Sequence, residues 1–231
     1  MLPYSPQIVA EAIHAHLDAA TAARGQALLA IPGARMPGPI LTALAGMMDD
    51  FVRARLHLLW LDERAVPRGH ADRNDGQTLA AWQAGGALPA HVHAMPAEEA
   101  DLEAASASYA ATLRGVAADG VIDCCLVGFG EDGHMASLFP HHPALKEVVD
   151  VLAIYDSPKP PPRRLTVSLA CLHRARAHIV VAQGAAKGLV LAKARAGADP
   201  GLPVSLLPAA RTTWYADDAA AAAAGAPTPR S

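Results

Sequence analysis

Residues 122–127 form a largely apolar run that ends on Gly128-Phe129-Gly130-Glu131-Asp132-Gly133-His134, and this junction constrains the fold more than any other stretch. A short apolar run closed by a turn reads as a buried strand. The three glycines let the backbone turn sharply, and His134 stands where a short helix is expected to begin. In α/β sheets, ligands bind beyond the carboxyl ends of parallel strands, which is where this pattern puts an ionisable side chain. Taken alone, the pattern describes a tight strand-to-helix turn with a surface histidine equally well.

The rest of the chain repeats the alternation. Ser5 can cap a helix with Pro6 at its first position, and Val9, Ala12, Ile13 and Leu17 make an apolar stripe that predicts a core-facing helix. Strands are predicted at 26–31 and 56–61, with a helix at 39–48 between them. Asp75 is expected to cap a helix running to Trp82, followed by a short strand near Val92. Pro96-Ala97-Glu98-Glu99 is expected to open a helix to about Val116, its carboxylates suiting the positive end of the helix dipole. Further strands are predicted at 122–127, 149–155, 165–168, 179–182 and 212–215, with a helix from Lys187 between the last two. Such alternation predicts one α/β domain over residues 1–216, a Rossmann-like, mostly parallel sheet with helices on both faces. The alanine run at 219–224 opens a low-complexity end, 217–231, expected to be a helix fraying into a disordered tail without a catalytic role.

Gly128, Gly130 and Gly133 satisfy G-x-G-x-x-G, so a dinucleotide fingerprint must be weighed. That fingerprint needs a full helix after the last glycine and an acidic residue about 20 positions on. Pro140 and Pro143 arrive too soon for such a helix, and Asp150 and Asp156 are poorly placed as ribose ligands, which argues against NAD(P). Read in full, residues 128–140 resemble the signature of the 6-phosphogluconolactonases, Gly-x-Gly-x-Asp-Gly-His-x-Ala-Ser-Leu-Phe-Pro, at every specified position. The related glucosamine-6-phosphate deaminases share Asp-Gly-His but continue Ile-Ala-Phe-Asn-Glu-Pro, so Ser137-Leu138-Phe139-Pro140 takes the lactonase side.

Three more blocks carry the resemblance. Asp62-Glu63-Arg64-Ala65-Val66 with the downstream His70-Ala71-Asp72-Arg73-Asn74 is similar to the family's Asp-Glu-Arg-x-Val and His-x-Asp-Ser-Asn, with Arg73 standing where serine is usual. Residues 158–166 are similar to its Pro-Lys-Pro-Pro-x-Arg-(Ile/Leu)-Thr, and Gly184 to Lys187 to its Gly-x-x-Lys. The resemblance runs from about residue 26 to about residue 216. It departs at Pro32-Gly33-Ala34-Arg35-Met36-Pro37, where the family usually has Ser-Gly-Gly-(Ser/Arg)-Thr-Pro. Alanine there replaces a glycine and methionine removes a hydroxyl able to bond a phosphate oxygen.

The resemblance implies a cofactor-free, metal-free hydrolase that opens 6-phospho-D-glucono-1,5-lactone to 6-phosphogluconate in the oxidative pentose phosphate pathway. Histidine suits both proton transfers, since its reference pKa of about 6.5 lets it accept and return a proton near neutrality. His134 is the candidate acid/base, with Asp132 to orient it. Amides around Gly133 and the following helix start are candidates for the oxyanion. Arg64, Arg164, Lys159 and Lys187 are candidate phosphate ligands with Gly33, Ala34 and Arg35, because guanidinium groups grip phosphate bidentately and ammonium groups act as point charges. The sequence does not separate the roles of Asp62 and Glu63, and it assigns none to Glu131. Two other readings stay open, a sugar-phosphate-binding protein without turnover and an amino-sugar-phosphate isomerase or deaminase.

Composition adds exclusions. With 52% hydrophobic and 18% charged residues over 231 positions, the chain can bury a sizeable core. A net charge of −3 gives no reason to expect nucleic acid or an anionic membrane as partner. No apolar run approaches the ~20 residues of a membrane helix, and no basic-then-apolar leader opens the chain. Cys124, Cys125 and Cys171 lack the spacing of a disulfide framework or metal site, which suits a reducing, cytoplasmic compartment. The pairs His14/His16, His91/His93 and His141/His142 lack zinc-ligand spacing and read as surface or structural.

Overall fold

The computed structural model describes residues 1–33, 36–117 and 119–225. Ala34 and Arg35, two of the candidate phosphate ligands, lie outside the described residues, as does the end of the tail at 226–231. In chain order the elements are β1 (Leu2–Pro3), α1 (Pro6–Arg24), β2 (Ala27–Ile31), α2 (Pro37–Met47), α3 (Asp50–Arg53), β3 (Leu56–Trp60) and β4 (Asp62–Arg64). There follow α4 (Asn74–Gly85), β5 (His91–His93), α5 (Leu102–Val116), β6 (Cys124–Val127), β7 (Val151–Ile154) and β8 (Arg164–Val167). The chain closes with α6 (Leu169–Arg174), β9 (His178–Ala182), α7 (Ala185–Ala196), β10 (Thr212–Ala216) and α8 (Asp218–Ala223).

Seven strands form one sheet in the order β1-β10-β9-β6-β2-β3-β5, parallel throughout. Every residue of β2, β6 and β9 is buried, as expected of central parallel strands covered by helices on both faces. Strand β2 lies between β3 and β6, pairing Ala30 with Leu59 on one side and with Cys125 on the other. The chain leaves β2 toward β3 and β5, then crosses back to β6 and β9. The carboxyl ends of β2 and β6 therefore flank the point where strand order reverses, the crevice in which open α/β sheets bind ligands.

The predicted N-cap holds: the Ser5 side chain accepts from the Ile8 amide, and Val9, Ile13 and Leu17 are buried along α1. Other expectations need correction. Residues 151–154 and 164–167 do not join the parallel sheet; with β4, a strand the sequence did not announce, they make a separate antiparallel sheet in the order β4-β8-β7. Helix α4 begins at Asn74 with Arg73 at the N-cap position, so Asp75 lies inside the helix and does not cap it. Helix α5 begins at Leu102, capped by the Asp101 side chain. Glu98, expected in that helix's first turn, instead pairs with Arg73 and Arg68. Tertiary ion pairing has overridden a local helix-start signal in both places. No helix starts at His134 either. Residues 129–138 form a compact double turn, with bridges Phe129↔Met135 and Met135↔Leu138.

Candidate active site

At the switch point a cleft of about 400 Å³ opens, reached by five separate chain segments. Gly33 and Met36 follow β2; Asp62, Arg64 and Asn74 belong to the β4–α4 segment. The β6 turn supplies Gly128 to Glu131, His134 and Ala136; the loop into β8 supplies Lys159 and Arg164; and α7 supplies Lys187. A larger groove of about 740 Å³ lies between α5 and β7, but its histidine, His142, is already engaged with the Ala144 amide and Asp156.

The glycines after β6 have distinct jobs. A Cβ on Gly130 would meet His134 Nδ1 at 2.2 Å and Asp132 Oδ1 at 2.4 Å, so only glycine lets this pair fold back over the turn. Gly133 holds φ at 79°, the left-handed region in which L side chains are strained. Its amide donates to the Gly130 carbonyl at 2.9 Å, and it packs against Leu202. Of the amides expected around Gly133, that of Gly133 itself is engaged with Gly130, and no helix starts at His134 to supply others. Ala136, which does line the cleft, holds φ at 49°. Such a backbone costs on the order of 1–3 kcal/mol and persists where its surroundings over-determine it.

The turn produces a histidine–carboxylate pair. His134 Nδ1 lies 2.5 Å from Asp132 Oδ1, and a second contact runs from the His134 amide to the same oxygen at 3.3 Å. A carboxylate only accepts, so the pair places the proton on Nδ1 and leaves Nε2 as the basic nitrogen. Lys159 Nζ sits 3.0 Å from Asp132 Oδ2 and 3.1 Å from His134 Nδ1. Burial opposes ionisation of Asp132, but hydrogen bonds from His134 and Lys159 outweigh it and hold the carboxyl at about 2. Burial draws the His134 pKa below its ordinary value, Asp132 pulls it back up, and the Lys159 charge lowers it again. The net effect favours the neutral imidazole, the form able to accept a proton.

Asp62 and Glu63, inseparable in the sequence, have different tasks. Glu63 is fully buried and accepts three backbone amides, those of Arg64 (2.7 Å), Asn74 (2.8 Å) and Asp75 (2.9 Å). Burial pushes its carboxyl up to about 7, opposed by those amides and by Arg73. It is the cap of α4. Asp62 faces the cleft, and its Oδ2 accepts from Ser137 Oγ at 2.7 Å and lies 3.9 Å from Arg164. Ser137 therefore ties the His134 turn to β4, a contact between two separate motif blocks that the sequence did not foresee.

The four candidate cations all line the cleft, but not alike. Arg164 is 4% exposed. Its Nε donates to the carbonyl of Pro161 and its Nη2 to those of Lys159 and Pro160, so it shapes the loop that presents Lys159. Arg64 Nη1 donates to the Asp72 carbonyl at 3.0 Å. Lys187 Nζ lies 5.4 Å from the centre of the Phe129 ring, and burial lowers its pKa while Glu131 raises it. Arg73 does not reach the cleft. It is 1% exposed and clamped by Asp75, Glu98 and the Met95 carbonyl, so this departure from the usual serine changes the scaffold. Among the described residues, no group of three or more His, Cys, Asp or Glu is arranged to hold a metal ion. Nor is any helix among them long and apolar enough to cross a membrane.

Known proteins resemble this chain over most of its length. The family described as glucosamine-6-phosphate isomerases/6-phosphogluconolactonase matches residues 6–215. A 6-phosphogluconolactonase of Mycobacterium tuberculosis is 39% identical over 222 residues, covering 89% of this chain and 88% of that protein. One from Streptomyces coelicolor is 37% identical, covering 93% and 90%. The crystal structure of a Thermotoga maritima 6-phosphogluconolactonase superposes with a TM-score of 0.83 over 94% of this chain and 97% of that one, at 21% identity, a likeness of fold.

Proposed function

The chain belongs to the glucosamine-6-phosphate isomerase/6-phosphogluconolactonase family, and from that premise we propose that it hydrolyses 6-phospho-D-glucono-1,5-lactone to 6-phospho-D-gluconate. The observation that carries this reading is His134 oriented by Asp132 beside Lys159 in a cation-lined cleft. The Ser137-Leu138-Phe139-Pro140 ending favours the lactonase over the deaminase branch.

In this mechanism His134 Nε2 takes a proton from water as the water oxygen bonds to C1, and the carbonyl π pair moves onto oxygen. When that oxyanion re-forms the carbonyl, the C1–O5 bond breaks and the proton on Nε2 passes to O5. Asp132 stabilises the transient imidazolium, and the Lys159 ammonium offsets the oxyanion charge in place of the spent Gly133 amide. Arg64 and Lys187 hold the phosphate dianion, joined by the Gly33, Ala34 and Arg35 segment. Arg164 adds its field and keeps the Lys159 loop in place. The substrate is a small sugar-phosphate lactone, and the three buried free thiols suit a reducing cytoplasm.

The test is disappearance of freshly made 6-phosphogluconolactone, with the spontaneous rate subtracted. Wild type should accelerate it and a folded His134→Ala protein should lose roughly 100-fold or more of that acceleration. Acceleration that survives the substitution would remove His134 from the mechanism.

A further inference from the structure

The outermost strand of the parallel sheet, β5, is three residues long, and two of the three are histidines. Side chains alternate along a strand, so His91 and His93 share one face. Parallel register sets His57 of β3 against His91, and Leu59 against His93, which brings three imidazoles together on that face. The His57 and His91 rings lie 4.4 Å apart between centres and 14° from parallel; those of His57 and His93 lie 5.2 Å apart and 2° from parallel. His57 Nδ1 is 3.0 Å from His93 Nε2. Such a contact needs one N–H and one lone pair. It survives on neutral rings or with one shared proton, whereas a second proton turns both nitrogens into donors and breaks it.

Among the described residues, no carboxylate acts on His57 or His93 to offset that charge. From α3 the Arg53 carbonyl accepts from the Ala90 amide just before β5, and the Arg53 guanidinium is paired with Asp50. Arg55, ahead of β3, lies over the Phe51 ring. From α5 the Tyr109 hydroxyl donates to the carbonyls of His93 and Trp60. Burial, then His91 and His93, hold His57 down to about 4. Burial, then His91, draws His93 below its ordinary value.

The cluster also stands upstream of the cleft. Strand β5 leads into the turn whose Met95 carbonyl and Glu98 carboxylate hold Arg73 at the N-cap position of α4. Asn74, the next residue, lines the cleft.

We propose that His57, His91 and His93 form an acid-sensitive latch: protonation of the cluster frees β5 from β3 and, through the 95–98 turn, loosens the β4–α4 wall of the cleft. A histidine kept neutral in the folded chain takes up its proton on unfolding. It costs the fold nothing above the reference value of about 6.5 and destabilises it progressively as pH falls toward the folded value. The latch is independent of the lactonase chemistry, and its test reads structure alone.

The experiment follows urea unfolding of the full chain from about pH 8 to pH 4.5 in wild type and in His57→Phe, which keeps a ring in the stack but takes no proton. Below about pH 6.5 the wild-type folding constant should fall about 3-fold more per pH unit than that of the variant, the ~10-fold limit for one proton being discounted for solvent around a half-buried ring. Hydrogen exchange, corrected for its intrinsic pH dependence, should show residues 91–98 losing protection before β2, β6 and β9 in wild type, with a weaker pH dependence in His57→Phe. Parallel stability curves for the two proteins, or loss of protection across the whole sheet at once, would overturn the latch. Should His57→Phe fail to fold, the assigned imidazole resonances of wild type decide. His57 should titrate well below 6.5 as residues 91–98 lose protection, and an ordinary histidine titration there would sink the idea.

Discussion

His134 takes its chemical character from two neighbours with opposite effects on its charge. Asp132 favours the imidazolium and Lys159 disfavours it, while burial favours the neutral ring. The acid limb of kcat/KM for the free enzyme should consequently fall below the ordinary histidine value of about 6.5. Lys159→Met removes the positive charge that depresses His134, so the His134 pKa should rise and the acid limb move to higher pH. A pH profile of lactone hydrolysis checks this, and an unmoved limb would mean that Lys159 does not act through the histidine. The residue scale also shows how the signature works. Ser137, Leu138 and Phe139 are all buried; Ser137 bonds Asp62 and the Phe139 ring stacks on His134 at 5.0 Å. The motif is legible as a string, but most of its residues serve packing, and the proposed chemistry rests on His134 and Asp132.

Among the elements, the β4–α4 segment is the most specialised. Its conformation depends on buried charge: Glu63 caps α4, and Arg73 bridges Glu63, Asp75 and Glu98. Burial lowers the Arg73 pKa, but the three carboxylates more than reverse this and keep it charged. Removing one partner of such a network leaves uncompensated buried charge, which typically costs about 3–5 kcal/mol. Arg73→Ser, although it installs the residue usual in the family, should therefore destabilise this chain by that order. Urea unfolding measures it, and a change below about 1 kcal/mol would show that the carboxylates find other partners. The sequence showed Arg73 as a departure without saying where it points. The direction depends on Glu98 and Met95, which are distant in sequence and meet Arg73 only when the 95–98 turn packs against α4.

Across the whole molecule, the parallel sheet and its helices enclose one continuous core that includes Cys124, Cys125 and Cys171. Burial pushes the Cys171 thiol up to about 12 and those of Cys124 and Cys125 higher still. A thiol reacts as the thiolate and needs access, so the native protein should be inert to a disulfide-exchange reagent at pH 8. All three thiols should become reactive together through the unfolding transition. One thiol titrating in the native state would reveal local opening of β6 or α6, which bear these residues. At this scale, too, a feature emerged that no motif announced: His57, His91 and His93 stack at the β3–β5 edge, with His57 Nδ1 3.0 Å from His93 Nε2. Parallel pairing aligns His57 with His91, which separate readings of the two strands do not reveal.

What the sequence determined by itself is what local backbone physics encodes. Continuous apolar runs specified the buried strands, Ser5 and Pro6 the first helix, and the glycine spacing a turn that folds a histidine back onto an aspartate. The family and its lactonase branch were legible for the same reason, since the signature at 128–140, with its Ser137-Leu138-Phe139-Pro140 ending, is short and contiguous. The tertiary structure alone decided the partners. Strand order brought the ends of β2, β4, β6 and β8 and the start of α7 around one cleft, divided Asp62 from Glu63, and engaged Arg164 with carbonyls. It also spent the Gly133 amide and packed the Asn74 amide against Gly33. Hydrogen bonds and buried charges are settled by atoms that meet across dozens of residues, and local sequence carries no record of which atoms those are.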